Sequence, residues 1–375
     1  MTRVPPPVAL AAHLGRGFRR VGATAVLGRR QRLPRTPADL TPAVLSGLLG
    51  REVSTVSVID GDAGTSSRAK LALTGNGVPA SVFVKLPAET AATRLMGELG
   101  RLADTEVRFY QQLAAEVPGV PACYASTFDP RTGGYVLVLE DLTVDACEFP
   151  DTLHPLSSEQ AGQVVELLAG VHATFWDRLP AEEGRGPLGW IYSTSGDCTS
   201  LLTGSLLKTS SKRVAERSDI PVANGKFIDE NYRAVATVMD RPPHTVLHGD
   251  AHPGNVYFRN GKAGLLDWQA VRRGHPSREL AYTLITAMRT EDRRTHQHDL
   301  LDRYRDALAA AGGPVLGRED LWTRYRQAAL YGYIAPLITA GMGGMQEDGI
   351  AMEGARRGVA ALEDLETVTA LKEAL

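Results

Sequence analysis

The 375-residue sequence holds only three cysteines, Cys123, Cys147 and Cys198. They are odd in number and scattered, with no CxxC pair. That argues against a disulfide framework and a zinc knuckle, and it points to a reducing, cytoplasmic setting. No apolar run approaches the ~20 residues a membrane helix needs. The apolar stretch 8–14 is too short for the core of a secretory signal and is broken by His13. The formal net charge is only −2, so a nucleic-acid partner is not expected. No GxxxxGK[ST] occurs, so neither is a P-loop fold. There is no internal repeat.

What remains is an ordinary globular composition, 43% hydrophobic and 22% charged, long enough for two lobes. Residues 1–50 begin with a basic arm. It carries Arg3, Arg16, Arg19, Arg20, Arg29, Arg30, Arg32 and Arg35, with no acid before Asp39. It reads as loosely ordered. Thr36-Pro37 opens a helix in which Leu40, Val44, Leu45, Leu48 and Leu49 recur at helical spacing. Strand patterns follow at 53–59, 69–74 and 81–86, punctuated by Gly61, Gly64, Gly75 and Gly77. One long helix is predicted over 90–115 and an apolar strand over 135–139.

Beyond residue 142 the pattern turns helical. Ser157-Ser158-Glu159-Gln160 has the form of a capping box. Ala161, Val164, Val165, Leu168, Val171, Phe175 and Trp176 then mark one helix face. Residues 180–224 are rich in Gly, Ser and Thr, with weak periodicity. Three or more helices close the chain. The expectation is an α+β, bilobal protein: an N-lobe at 51–142 and a mainly helical C-lobe at 143–375, with the ligand site in the cleft.

The chemistry concentrates in HGDAHPGN at 248–255 and LLDWQ at 265–269. Asn260-Gly261 is the preferred two-residue hairpin turn, because both positions need positive φ. Pairing around it sets Phe258 opposite Ala263, Val256 opposite Leu265 and Asn255 opposite Leu266. Asn255 and Asp267 therefore meet at the open end of one hairpin and suit a hard cation such as Mg²⁺. Strict alternation would send their side chains to opposite faces, so one of them must leave the ladder. Asp250 is the candidate general base for an attacking hydroxyl, with His248 bracing the loop. Alone, Asp250 could be a turn cap. HxDxxxxN followed by a hairpin and Asp-Trp points to phosphoryl transfer.

A second group stands apart from the first. Alternation on 81–86 sets Lys85 away from Val82, Val84 and Leu86. Glu106 falls inside the apolar stripe Leu99, Leu102, Phe109 and Leu113, where a carboxylate needs a partner. Lys85 is that partner, in the arrangement by which kinases aim an ammonium at nucleotide phosphates. Gly61, Gly64, Thr65 and Ser66 form a small-residue loop whose N–H groups could approach phosphates, although it lacks GxGxxG spacing. Glu140-Asp141-Leu142 ends a strand where backbone groups could meet a nucleotide base, leaving ATP or GTP open. His172, on an apolar helix face, reads as a satisfied core histidine. Trp322, Tyr325, Tyr331 and Tyr333 read as mostly core, one or two of them available to line a substrate pocket.

These residues together resemble the aminoglycoside phosphotransferase and choline kinase-like superfamily. HGDAHPGN, LLDWQ, VFVK at 82–85 and Glu106 match in order and rough spacing. Asp-Trp-Gln, LEDL at 139–142 and HATFW at 172–176 look most like its ecdysteroid-kinase-like branch. The resemblance implies a protein-kinase-like fold and Mg²⁺-dependent transfer from ATP, or GTP, to a small-molecule hydroxyl. It implies Asp250 as base, Asn255 and Asp267 as metal ligands and Lys85 on phosphate. Glu279 stands where the family usually has Asp, which puts a supporting contact in question.

Against a protein kinase stand Gly249 after the histidine, Gln269 after Trp268 and the lack of an Ala-Pro-Glu segment. A metallohydrolase built on His248, Asp250, His252 and Asp267 would leave Lys85, Glu106 and Asn255 unexplained. A non-catalytic nucleotide-binding module would not need the full set. The acceptor side is expected in residues 180–224 and the late helices. Neither carries a dense acidic run, which disfavours a polycation and favours an apolar or mixed hydroxylated metabolite or antibiotic. No aromatic cage of the choline-binding kind is legible. A monomer or homodimer is expected, with no membrane or nucleic-acid partner.

Overall fold

The structure, a computed structural model, describes residues 5–27 and 33–375. Arg3, Arg29, Arg30 and Arg32 of the basic arm lie outside the described residues. The chain divides into two units, Met1–Ala115 with Val120–Cys147, and Glu116–Gly119 with Glu148–Leu375. The first is strand-rich and the second mainly helical, a mixed α+β architecture.

The first unit begins with helix α1 (Pro6–Leu27) and α2 (Pro42–Leu49). Strands β1 (Val53–Ala63), β2 (Ser66–Gly75) and β3 (Ser81–Pro87) follow. Helices α3 (Ala91–Gly100) and α4 (Leu102–Gln112) precede β4 (Cys123–Phe128) and β5 (Tyr135–Glu140). The five strands form one antiparallel sheet in the order β1-β2-β3-β5-β4. Strand alternation sends Leu71, Leu73, Val82, Val84, Val136 and Val138 into a buried cluster with Leu40 and Leu45.

Four sequence expectations are corrected here. The arm expected to be loose is largely helical over α1. His13 Nε2 donates to the Leu99 carbonyl at 3.0 Å, and Arg20 reaches Glu98 at 2.8 Å, so tertiary partners order a segment that composition alone leaves undecided. The second helix opens at Thr41-Pro42 rather than Thr36-Pro37, with Thr41 Oγ1 accepting from Val44 N–H. The helix expected over 90–115 is two helices, broken where Arg101 adopts φ 53° after Gly100. The small-residue loop is mostly strand: Gly61 pairs with Ala69 inside the β1–β2 ladder, and only the Gly64-Thr65 turn stands outside it.

A two-residue strand, β6 (Cys147–Glu148), falls on the boundary of the two units in the sequence. The second unit runs through α5 (Ser158–Thr174), α6 (Ser200–Arg217) and α7 (Lys226–Met239). Four short strands follow: β7 (Thr245–Leu247), β8 (Val256–Arg259), β9 (Lys262–Leu265) and β10 (Arg272–Gly274). Helices α8 (Pro276–Ala287), α9 (Thr290–Ala310), α10 (Arg318–Met342), α11 (Asp348–Asp364) and α12 (Thr367–Ala374) complete it. The Ser157 capping box starts α5 as its sequence requires. Helix α6 lies in the stretch where no helix was legible. Its buried positions are Ser200, Leu207, Ser210 and Val214, so two serines hide the apolar stripe. Ser210 is small because α6 crosses α10 there: a Cβ on Gly341 would lie 2.4 Å from the Ser210 Cα.

Candidate active site

The β8–β9 hairpin turns at Asn260 and Gly261, with φ 52° and 72°, and pairs Val256 with Leu265 and Phe258 with Ala263. The Leu266 N–H donates to the Asn255 carbonyl at 2.8 Å. The register read from Asn-Gly is therefore the register present. Both end residues leave the strand geometry. Asn255 closes the short 3₁₀ turn Pro253–Asn255, and Asp267 takes the left-handed conformation, φ 60° and ψ 63°. This breaks the alternation that would have opposed the two side chains.

Asn255 is oriented by its own amide. Nδ2 donates to the Asp250 carbonyl at 2.9 Å, which turns Oδ1 away from that bond as an oxygen donor. An amide oxygen and a carboxylate at one hairpin end fit Mg²⁺, which takes few protein ligands and completes its shell with water and phosphate oxygens. Among the described residues, no group of three or more His, Cys, Asp or Glu side chains is set to hold a metal. Both ring nitrogens of His248 are engaged, Nε2 donating to the Leu266 carbonyl at 2.7 Å and Nδ1 accepting from Asp250 N–H at 3.2 Å. The metallohydrolase cluster is thus not formed. His248 is fully buried against Trp268, and burial lowers its pKa, holding it neutral. Through both nitrogens it braces the loop.

Glu279 of α8 supplies the supporting contact that was in question. Its Oε1 accepts the Gly249 N–H at 2.7 Å, and its Oε2 accepts the His248 N–H at 3.1 Å. The same Oε2 accepts from His172 Nε2 at 2.9 Å, and Tyr304 bonds the other nitrogen of His172 at 2.8 Å. Burial pushes the Glu279 pKa up, but the His172 hydrogen bond and charge outweigh it, and the group stays ionised. His172 is thus a satisfied core histidine that also holds the loop's anchor. Gly249 has φ 86°, and a Cβ there would lie 2.0 Å from the Ala270 carbonyl oxygen. The loop closes only with glycine after the histidine.

The Asp250 side chain is 30% exposed. The Tyr282 hydroxyl donates to its Oδ1 at 2.7 Å. Burial and the Asp250 charge push the Tyr282 pKa well up, so it remains a donor. Sequence reasoning passed over Tyr282. Its signal is the Glu279–Tyr282 spacing, which puts two polar side chains on one face of an apolar helix.

In the first unit, Lys85 Nζ and Glu106 Oε1 form an ion pair at 2.7 Å, with both groups buried. Gly64 and Thr65 make the β1–β2 turn, Ser66 begins β2 and Gly61 is within β1. Arg68 and Asp62 are paired at 2.6 Å beside the turn. Glu140 gives its N–H to the Ala122 carbonyl and accepts the Ala122 N–H on Oε2. Leu142 is buried. Asp141 binds Ser81 and Thr143 and lies 3.3 Å from Lys70, a structural role. Lys85, Glu106, Gly61, Gly64, Thr65, Ser66, Glu140 and Leu142 thus belong to the first unit; His248, Asp250, Asn255 and Asp267 belong to the second.

Next to the His248–Asn255 loop the second unit has a cavity of about 130 Å³. Its wall includes Gly249 and Tyr282, Thr194 and Asp197 from residues 180–224, and Tyr331 from α10. Arg272 and Arg278 also line it, and no motif in the chain singles them out. Their elements meet only in the tertiary fold.

Residues 58–327 match the family described as the phosphotransferase enzyme family. A GDP complex of an aminoglycoside 2'-phosphotransferase is similar in structure, with TM-score 0.50 and 13% identity, covering 84% of this chain and 93% of that one. A choline kinase from Cryptosporidium parvum gives TM-score 0.49 at 9% identity over 86% and 89% of the two chains. A choline kinase from Streptococcus pneumoniae gives 0.46 at 15% identity over 84% and 94%. Among curated proteins, none matches the chain. At such identities the likeness is one of fold, a strand-rich N-terminal sheet followed by a helical C-terminal part.

Proposed function

The chain belongs to the phosphotransferase enzyme family, and from that premise we propose that it is a small-molecule kinase. It transfers the γ-phosphoryl group of ATP, or GTP as alternative donor, to an alcohol of a metabolite or antibiotic, with Mg²⁺. The observation that carries this reading is the Asp250 carboxylate. It is partly exposed, held by Tyr282, and stands on a loop anchored by Glu279.

Asp250 accepts the proton of the acceptor hydroxyl as its oxygen bonds the γ-phosphorus; the bond to the nucleoside diphosphate breaks, and the diphosphate leaves. Asn255 and Asp267 hold the metal, which when bound supplies positive charge against the phosphate oxygens. Lys85, fixed by Glu106, meets nucleotide phosphate, with Gly61, Gly64, Thr65 and Ser66 beside it and Glu140 and Leu142 at the base. His248 keeps the loop in register. Asp-Trp-Gln, LEDL and HATFW support assignment to the ecdysteroid-kinase-like branch. Three cysteines without a disulfide support a cytoplasmic setting.

Nucleotide consumption screened across hydroxylated metabolites and antibiotics tests the reading, with Asp250→Asn as the blank. The expected loss is about 10²- to 10⁴-fold in kcat, with nucleotide affinity largely kept. Undiminished turnover in that variant removes Asp250 from its role.

A further inference from the structure

The cavity beside the His248–Asn255 loop is lined by two arginines, Arg272 and Arg278, and by two carboxylates, Asp197 and Glu279, that are largely engaged elsewhere. Arg278 sits over the Tyr331 ring, its guanidinium carbon 4.0 Å from the centroid, and donates to the Thr194 hydroxyl. Among the described residues no carboxylate comes within ion-pair distance of it. Arg272 reaches Asp197 only at 4.0 Å, and the other Asp197 oxygen accepts from the Thr199 N–H and hydroxyl, each at 2.9 Å. Glu279 also lines the cavity, but its oxygens serve His172 and the loop N–H groups. Burial, and then the charge of Arg278, lower the Arg272 pKa, and Asp197 offsets them only in part.

We propose that the acceptor carries an oxyanion, a carboxylate or a phosphate, that binds Arg272 and Arg278 while its hydroxyl faces Asp250. This rests on the phosphotransfer reading and names its substrate class. Guanidinium forks match both oxyanions in geometry and charge. Tyr282 lines the cavity and bonds Asp250, so one wall joins the anion's pocket to the base. A quaternary ammonium is disfavoured, because the aromatic face it would seek on Tyr331 is already covered by Arg278. The volume, about 130 Å³, is close to that of a cavity holding one benzene ring, so the part of the acceptor that enters has only about six to ten heavy atoms. With the anion clamped, the hydroxyl proton passes to Asp250, the hydroxyl oxygen bonds the γ-phosphorus, and the nucleoside diphosphate departs.

The test uses the 375-residue chain and four small alcohols: 3-hydroxybutyrate, sn-glycerol 3-phosphate, uncharged 1,3-butanediol and cationic choline. One of the two anions is expected to exceed both other alcohols at least tenfold in kcat/KM, and which one wins separates carboxylate from phosphate. Arg272→Gln and Arg278→Gln are expected to raise KM for that anion about ten- to a hundredfold and to erase its advantage, whereas Arg278→Lys keeps part of it. Equal or better turnover of butanediol or choline overturns the proposal and leaves phosphotransfer standing. So does a uniform fall in kcat for all acceptors in the arginine variants, which would assign the arginines to the transferred group. Thermal melting gives the independent arm. If no alcohol is phosphorylated but an anion raises the melting temperature of wild type and of Asp250→Asn, and not of the Arg→Gln variants, the oxyanion site stands and the kinase reading falls. No such shift, with no turnover, overturns the oxyanion site.

Discussion

Tyr282 connects the proposed base to the core of the helical unit. Its hydroxyl donates to Asp250 at 2.7 Å, so it fixes one carboxylate oxygen and leaves the direction of the other defined. Tyr282→Phe keeps the ring and removes only that bond. We expect kcat to fall about tenfold, the size of one hydrogen bond to a charged group, with nucleotide KM unchanged in steady-state kinetics. An unchanged kcat would make Tyr282 packing only.

His275 offers a second residue-scale prediction. It caps α8 through Nδ1, which accepts the Ser277 N–H, and it is buried near Arg324, His172 and His244. Burial first, then those charges, lower its pKa well below the usual value. The unfolded chain therefore binds a proton that the folded chain refuses. Stability from this group is full above the unfolded pKa and falls as pH drops below about 6.5. His275→Asn keeps a capping side chain and should flatten that part of the pH dependence in urea titrations. An identical slope in the variant would exclude His275 as its source.

Helix α8 carries its functions on successive turns: the cap at His275, the cavity cation at Arg278, the loop anchor at Glu279 and the base's partner at Tyr282. Glu279→Ala strips two loop N–H groups and His172 of their common acceptor. Removing one partner of such a buried network costs about 3–5 kcal/mol, read as a lower urea midpoint; Glu279→Gln, which retains an acceptor oxygen, should lose less. An unshifted midpoint in both would mean the anchor contributes no stability. The hairpin was legible at this scale because Asn-Gly sets the register, and the Lys85–Glu106 pair was legible because a carboxylate in an apolar stripe demands a counter-charge. Helices α1 and α6 were not legible. The first depends on partners such as Glu98 and Leu99, distant in sequence, and the second packs through serines against a glycine. Arg272 and Arg278 were invisible for a related reason: neither residue carries a motif, and the cavity they line draws on segments from Thr194 to Tyr331.

At the scale of the molecule, the two units place different demands on the chain. The first buries a cluster drawn from the sheet, from α2 and from the segment just ahead of it, including Leu40, Leu45 and Val53. Burying a large aliphatic side chain contributes roughly 1.5–3 kcal/mol. The family match begins only at residue 58. The border of what is recognisable and the border of what can fold therefore differ by at least the eighteen or so residues from Leu40 onward. A fragment trimmed to 58–327 would also discard α11 and α12. We expect it to aggregate on expression, where the whole chain gives a single cooperative species by size exclusion. A soluble, cooperative fragment would show those flanks to be dispensable. The stretch by which the chain is recognised therefore carries no instruction about where to cut it.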